Sequence, residues 1–209
     1  MNWKKYNLDQ EKFAKQLKNY NKKNIFNYIH LDKYNHVRDH LALAVSLEKN
    51  NFKILDFGGS IVSYYDLKKK INKEINYTIF NPHYLKLKKN FNKKNIKYIV
   101  ELKPLKTDLV YTNSVLQYFK NFEDFINLLK KKKIEYNKCL ITDILVSEKS
   151  SFSLIQHNHS VKNYVHNFTK IVKDLKKNNL EIIYKSVFSK KKYQNKKYFL
   201  INLLVKKKK

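Results

Sequence analysis

The chain of 209 residues is 43% hydrophobic and 14% aromatic, enough to bury the core of one domain and unlike a disordered polybasic chain. No apolar run approaches the roughly 20 residues that span a bilayer; the longest, residues 199–205, is interrupted by Asn202. The net charge of +28 invites a nucleic-acid reading, but Arg38 is the only arginine among 45 basic residues, and lysine lacks the planar fork that reads phosphates and bases.

Lys, Asn, Ile, Tyr and Phe are all abundant here and all have A/T-rich codons, so a coding bias accounts for the lysine excess without any partner. The lysines also run along the whole chain, at 68–70, 130–133, 190–192 and 206–209, as solvated faces and loops do. No specific nucleic-acid partner is expected, while loose attraction to anionic membranes or polymers stays open. The single cysteine, Cys139, excludes an internal disulfide framework and a Cys-based zinc site. Beside Leu140 and Ile141 it reads as a buried, inert thiol. Met1 to Tyr6 leads into polar sequence with no apolar leader segment, so a cytosolic protein is the expectation.

In chain order, residues 1–50 read as an N-terminal helical cap and residues 51–209 as one α/β domain. Within the helical stretch 8–20, Phe13 and Leu17 stand one turn apart, and over 34–49 Val37, Leu41, Ala44, Val45 and Leu47 form a stronger stripe. The cap either covers a pocket or mediates self-association, and the oligomeric state is left open. From residue 53 onward, short apolar runs predict strands at 53–57, 77–80, 97–100, 108–112, 138–145, 180–188 and 198–205. Helical patterns lie at 61–72, 84–92, 122–132 and 161–178. This alternation implies βαβ units and a mainly parallel seven-stranded sheet. The polar stretch 189–197 reads as the loop of an antiparallel C-terminal hairpin.

Gly58 and Gly59 are the only glycines of the sequence, and they close the first predicted strand. Glycine tolerates positive φ and lets backbone come close to a ligand, and the first βα turn of an open α/β sheet is a usual ligand contact. A plain tight turn is the alternative, and the position favours a ligand. The stretch Gly58-Gly59-Ser60-Ile61-Val62-Ser63 lacks the dinucleotide fingerprint and the Gly-Lys-Ser/Thr ending of a P-loop.

Asp56-Phe57-Gly58-Gly59-Ser60 resembles the first motif of class I S-adenosylmethionine (SAM) methyltransferases, an acid followed by a glycine-rich turn. Asp56 takes the acidic position and Gly58 the first glycine, while Ser60 and Val62 stand where the second and third glycines lie. Residues 53–61 are similar to the Leu-Asp-Phe-Gly-Gly signature of a family of bacterial methyltransferases associated with surface-polysaccharide genes. Residues 108–118, ending Ser114-Val115-Leu116-Gln117-Tyr118, are similar to that family's fourth-strand motif, and Arg38-Asp39 to a pair before its first strand. The resemblance covers residues 33–190. It implies a Rossmann-like SAM-methyltransferase fold, SAM as cofactor, and methyl transfer to a small-molecule or saccharide acceptor.

The resemblance also assigns roles. Asp56 orients the SAM amino group or else caps the turn, with Gly58, Gly59 and Ser60 forming the contact loop. Asn81 stands near the position of the acid that binds the ribose hydroxyls, where an amide lacks charge-assisted strength. Asn113 and Ser114 face the methionine part or cap the next helix. Gln117 and Tyr118 face the reactive methyl, or Tyr118 packs on the sheet. Arg38 binds the SAM carboxylate or pairs with Asp39 or Asp32. A base is needed for a hydroxyl acceptor; His157 and His159 supply it or are ordinary loop polar groups, with no third ligand nearby for a metal. Asn81 and Val62 keep open a catalytically inactive, methyltransferase-like binding or scaffold protein. A basic RNA-associated protein is a third reading, weakened by the absence of any nucleic-acid-binding motif.

Overall fold

Strand and helix alternate through most of the chain in its computed structural model, which describes residues 35–82, 95–155 and 162–208. Two compact units divide it, with described parts 35–102 and 103–208. In the first unit, helix α1 (Asn35–Ser46) buries Leu41, Ala42 and Val45. The Lys73 ammonium donates to the carbonyls of Ser46 and Glu48 near the end of α1, where the helix dipole favours a cation. Strand β1 (Phe52–Phe57) leads into helix α2 (Ile61–Lys70), then β2 (Ile75–Phe80) and β3 (Ile96–Ile99). β1 and β2 run parallel from Phe52↔Ile75 to Phe57↔Phe80, and β3 adds parallel to β2. All but Lys53 in β1 are buried, which is why the strand is a nearly continuous apolar run. Lys70 clamps α2 to α1, reaching Asp39 at 2.6 Å and Asp66 at 2.7 Å.

The second unit begins with β4 (Leu105–Lys106), β5 (Leu109–Asn113), a 3-10 turn (Leu116–Tyr118) and helix α3 (Phe122–Lys131). Asn121 and Asp124 form a capping box at the start of α3, satisfying amides the first turn cannot pair internally. There follow β6 (Ile134–Glu135), β7 (Lys138–Ser147), β8 (Phe152–Ile155), β9 (Lys162–Asn167), α4 (Phe168–Lys177), β10 (Leu180–Tyr193) and β11 (Lys196–Lys207). β5 and β7 are parallel, β11 joins β7 antiparallel and β10 flanks β11. The sheet is mainly parallel with an antiparallel C-terminal pair, the α/β class expected. Cys139 is fully buried and its thiol is pushed far above the usual range by desolvation; it is inert. Among the described residues no helix is long and apolar enough to cross a membrane.

All seven expected strands are present, and β4, β6, β8 and β9 are additional. The helix expected over 161–178 starts only at Phe168. Burial alternates from Lys162 to Val165 as along a strand, and these residues pair with β8 while His166 and Asn167 pair with β7. Asn167 then caps α4 by accepting from the Lys170 amide at 2.8 Å. The hairpin loop is shorter than the expected 189–197. β10 continues to Tyr193 and the turn is Gln194-Asn195, both at positive φ, the backbone of a two-residue hairpin turn. The helices expected within residues 8–20 and at 84–92 lie outside the described residues.

Candidate functional site

At the carboxyl end of β1 the Asp56 side chain is fully buried. The Tyr77 phenol of β2 donates to its Oδ2 at 2.8 Å, while its Oδ1 has no hydrogen-bond partner among the described residues. Burial pushes the carboxyl up to about 7, against the opposing pull of the Tyr77 hydrogen bond. Tyr77 is itself held edge-on against the Tyr64 ring at 5.5 Å. The sequence reading passed over Tyr77; its signal is a phenol in a buried strand, which needs a hydrogen-bond partner.

The two glycines are required for different reasons. Gly58 has φ 78°, a left-handed backbone, and its N–H donates to the Phe80 carbonyl at 2.8 Å. A Cβ on Gly59 would lie 1.9 Å from Asp56 Cγ, so the close approach that Gly59 permits is to this carboxylate. Asn81 is fully buried just past β2; its side-chain amide donates to the Gly59 carbonyl at 3.3 Å and its N–H to the Ile99 carbonyl at 3.1 Å. Ser60 is the extended N-cap residue of α2 and makes no side-chain capping bond. Asp56, Gly58, Gly59, Ser60 and Asn81 are thus brought together, with Gly58, Gly59 and Ser60 only half-buried. Val62 is buried in the first turns of α2.

In the second unit Asn113 ends β5, and Ser114 follows at φ 54°. The Ser114 N–H donates to the Thr142 carbonyl at 3.1 Å and its hydroxyl to Asp143 Oδ2, while the Thr142 hydroxyl donates to Asn113 Oδ1 at 3.2 Å. Asp143 has φ 58° inside β7, where the pairing with β11 shifts register between Ile201 and Leu203. Asn202 Oδ1 accepts the Asp143 N–H at 2.9 Å and Asn202 Nδ2 donates to Ser186 Oγ at 3.1 Å. Asp143, a non-glycine residue in left-handed backbone, marks a bulge where Thr142 and Asp143 of β7 stand against Asn202 of β11, a feature found beside functional sites. Gln117 is buried and Tyr118 half-buried in the 3-10 turn, which His166 of β9 braces by donating Nε2–H to the Leu116 carbonyl at 2.9 Å. Desolvation lowers the affinity of that imidazole for a proton, against a raising pull from Leu116.

Asp143 and His166 were missed by the sequence reading, though a lone acid inside the apolar run 139–146 is the signal for the first. Arg38 lies in α1, with its side chain outside the described atoms, and His157 and His159 lie outside the described residues.

No protein-family model matches the sequence, and no curated protein matches it. The fold is shared with solved structures. One is 1,6-didemethyltoxoflavin-N1-methyltransferase of Burkholderia thailandensis, with bound 1,6-didemethyltoxoflavin and S-adenosylhomocysteine (SAH). It is 11% identical with TM-score 0.58, over 83% of this chain and 77% of that one. Another is magnesium protoporphyrin IX methyltransferase of Synechocystis PCC 6803 with bound SAM, 16% identical with TM-score 0.54, over 84% and 80%. The [4+2]-cyclase SpnF is a third, 8% identical with TM-score 0.58, over 83% and 80%. The likeness is one of fold, the Rossmann-like methyltransferase fold.

Proposed function

We propose that the chain is a SAM-dependent methyltransferase whose loop Asp56–Ser60 holds the cofactor. The observation that carries this reading is Asp56 Oδ1, a buried carboxylate oxygen without a partner among the described residues, beside a left-handed glycine at the carboxyl end of β1. A buried acceptor left unsatisfied costs about 1–3 kcal/mol, and the ammonium of the cofactor's methionyl part supplies the missing donor. The first turn of α2, whose N-cap Ser60 makes no side-chain bond, offers backbone amides to the cofactor carboxylate. Asn81 acts on the cofactor through the loop that it braces at Gly59.

The bound cofactor supplies an electrophilic methyl group on a sulfonium. What the chain contributes is alignment, with a base where the acceptor is a hydroxyl. The roles of Arg38, Asn113, Ser114 and Gln117 toward the cofactor, and of Tyr118 toward the acceptor, rest on the sequence resemblance, and so does the acceptor, a small molecule or saccharide. That of His157 and His159 as a base rests on their place after the fifth predicted strand, and the reading of residues 1–50 as a helical cap rests on their apolar spacing.

Calorimetric titration with SAM and SAH tests this reading. Dissociation constants of about 1–100 µM are expected. Gly58→Asn retains a residue that tolerates the left-handed backbone, so it keeps the fold while placing a side chain on the loop. Its affinity falls at least about tenfold. A folded wild-type sample that binds neither compound removes the reading.

A further inference from the structure

The end of the C-terminal hairpin has two faces, and only one is covered. Side chains alternate along strands, and the pairings Leu145↔Leu200 and Val146↔Phe199 sort them. Leu145 and Leu200 join Leu154 and Val165 of the β8–β9 hairpin in a core that Phe152, Phe188, Tyr193 and Tyr198 complete. On the opposite face, Val146, Phe199, Ile201 and Val187 line a cavity of about 340 Å³, closed on one side by Phe168 at the start of α4. That volume lies at the lower end of the roughly 300–1,000 Å³ typical of ligand pockets.

The polar groups of the cavity are few and biased in charge. Lys185, Val187 and Lys190 pair with Leu203, Ile201 and Phe199 respectively, and all three reach the cavity. The Lys185 ammonium sits 4.8 Å from the Phe168 ring centroid, which places a cation at the apolar wall. Glu148 is the only acid of the lining; it stands just beyond β7, where its carbonyl accepts from Asn167 Nδ2 at 3.2 Å. Val187 is 50% exposed despite its apolar neighbours. The cavity opens at the carboxyl end of β7, the end at which open α/β sheets bind ligands.

We infer that this cavity binds an anion with an apolar body, a carboxylate of medium chain length, whose chain lies on Val146, Val187, Phe199 and Ile201 and whose charge meets Lys185 and Lys190. Apolar walls alone would accept a neutral chain equally well; the two lysines select the anion. The inference concerns binding only and stands whether or not the chain transfers methyl groups.

Calorimetric titration with decanoate, kept below micelle formation, tests it. Saturable one-site binding is expected below about 1 mM. Val187→Trp fills the cavity from an exposed position, and Lys185→Gln with Lys190→Gln removes the two cations. Each weakens decanoate at least about tenfold, whereas 1-decanol is affected by the first change and not by the second. Lys130→Gln with Lys131→Gln removes the same charge from the end of α3 and shifts affinity by no more than about twofold. Circular dichroism and melting curves establish that each variant is folded. Absence of saturable binding overturns the inference, as does equal weakening by the Lys130/Lys131 pair, which would reveal general attraction to a polycation.

Discussion

Replacing Gly59 with alanine lowers the melting temperature by about 6–12 °C, as expected for an overpacking cost near 3 kcal/mol in a chain of this size. The cause is specific. The added methyl carbon would stand 1.9 Å from Asp56 Cγ, so the carboxylate must leave its place and give up the Tyr77 hydrogen bond. The double variant Asp56→Ala with Gly59→Ala therefore recovers most of the loss. Chemical denaturation at fixed pH gives a coupling of at least about 1 kcal/mol between the two positions. If Gly59 served only a ligand's approach, the alanine would leave the stability of the free protein unchanged and the two substitutions would be additive.

Asp56→Asn is expected to raise stability at neutral and alkaline pH and to weaken cofactor binding there. Burial lifts the Asp56 carboxyl from 3.8 to about 7 in the folded chain. Below about pH 4 the folded and unfolded states both hold the proton, and the group exerts no penalty. Between about pH 4 and pH 7 the folded state holds a proton that the unfolded state has lost, so stability falls as pH rises. Above about pH 7 the buried charge is present and the penalty is complete, on the order of 4 kcal/mol. Denaturant midpoints measured across pH 4–8 should fall more steeply in the wild type than in Asp56→Asn, and the difference between the curves isolates this group. A ligand that brings an ammonium group to Asp56 reverses the preference. SAH affinity rises with pH through about 7 in the wild type, and in Asp56→Asn it is weaker and flat across that range. Identical stability curves would show that the carboxyl titrates normally.

Much of the fold could be read directly because β1, β5 and β7 are nearly continuous apolar runs, and burial on both faces of a parallel sheet demands that pattern. Strand β9 was hidden by helix-compatible spacing, with Val161, Val165, Phe168 and Val172 four, three and four residues apart. It is Asn167, the cap of α4, that ends the strand and starts the helix. The glycine loop was visible as the only place where the chain retains glycine, yet the reason for Gly59 was not. It depends on where the Asp56 side chain points, which strand pairing decides through Tyr77 in β2. The Asp143 bulge was invisible for a similar reason. The Asn202 side chain that satisfies its amide comes from a strand 59 positions along the chain, and no local pattern announces such a partner.

The claim that an adenosyl ligand sits on the loop of β1 can be read from two signals. Gly58 and Gly59 are the only glycines in the chain, so selective ¹⁵N-glycine labelling places every labelled backbone amide in that loop. Titration with SAH, followed by ¹H–¹⁵N correlation spectra, is predicted to move both resonances along a saturating curve with the calorimetric dissociation constant. Two resonances that stay in place to millimolar SAH, in a sample whose dispersed spectrum shows it folded, would contradict the account.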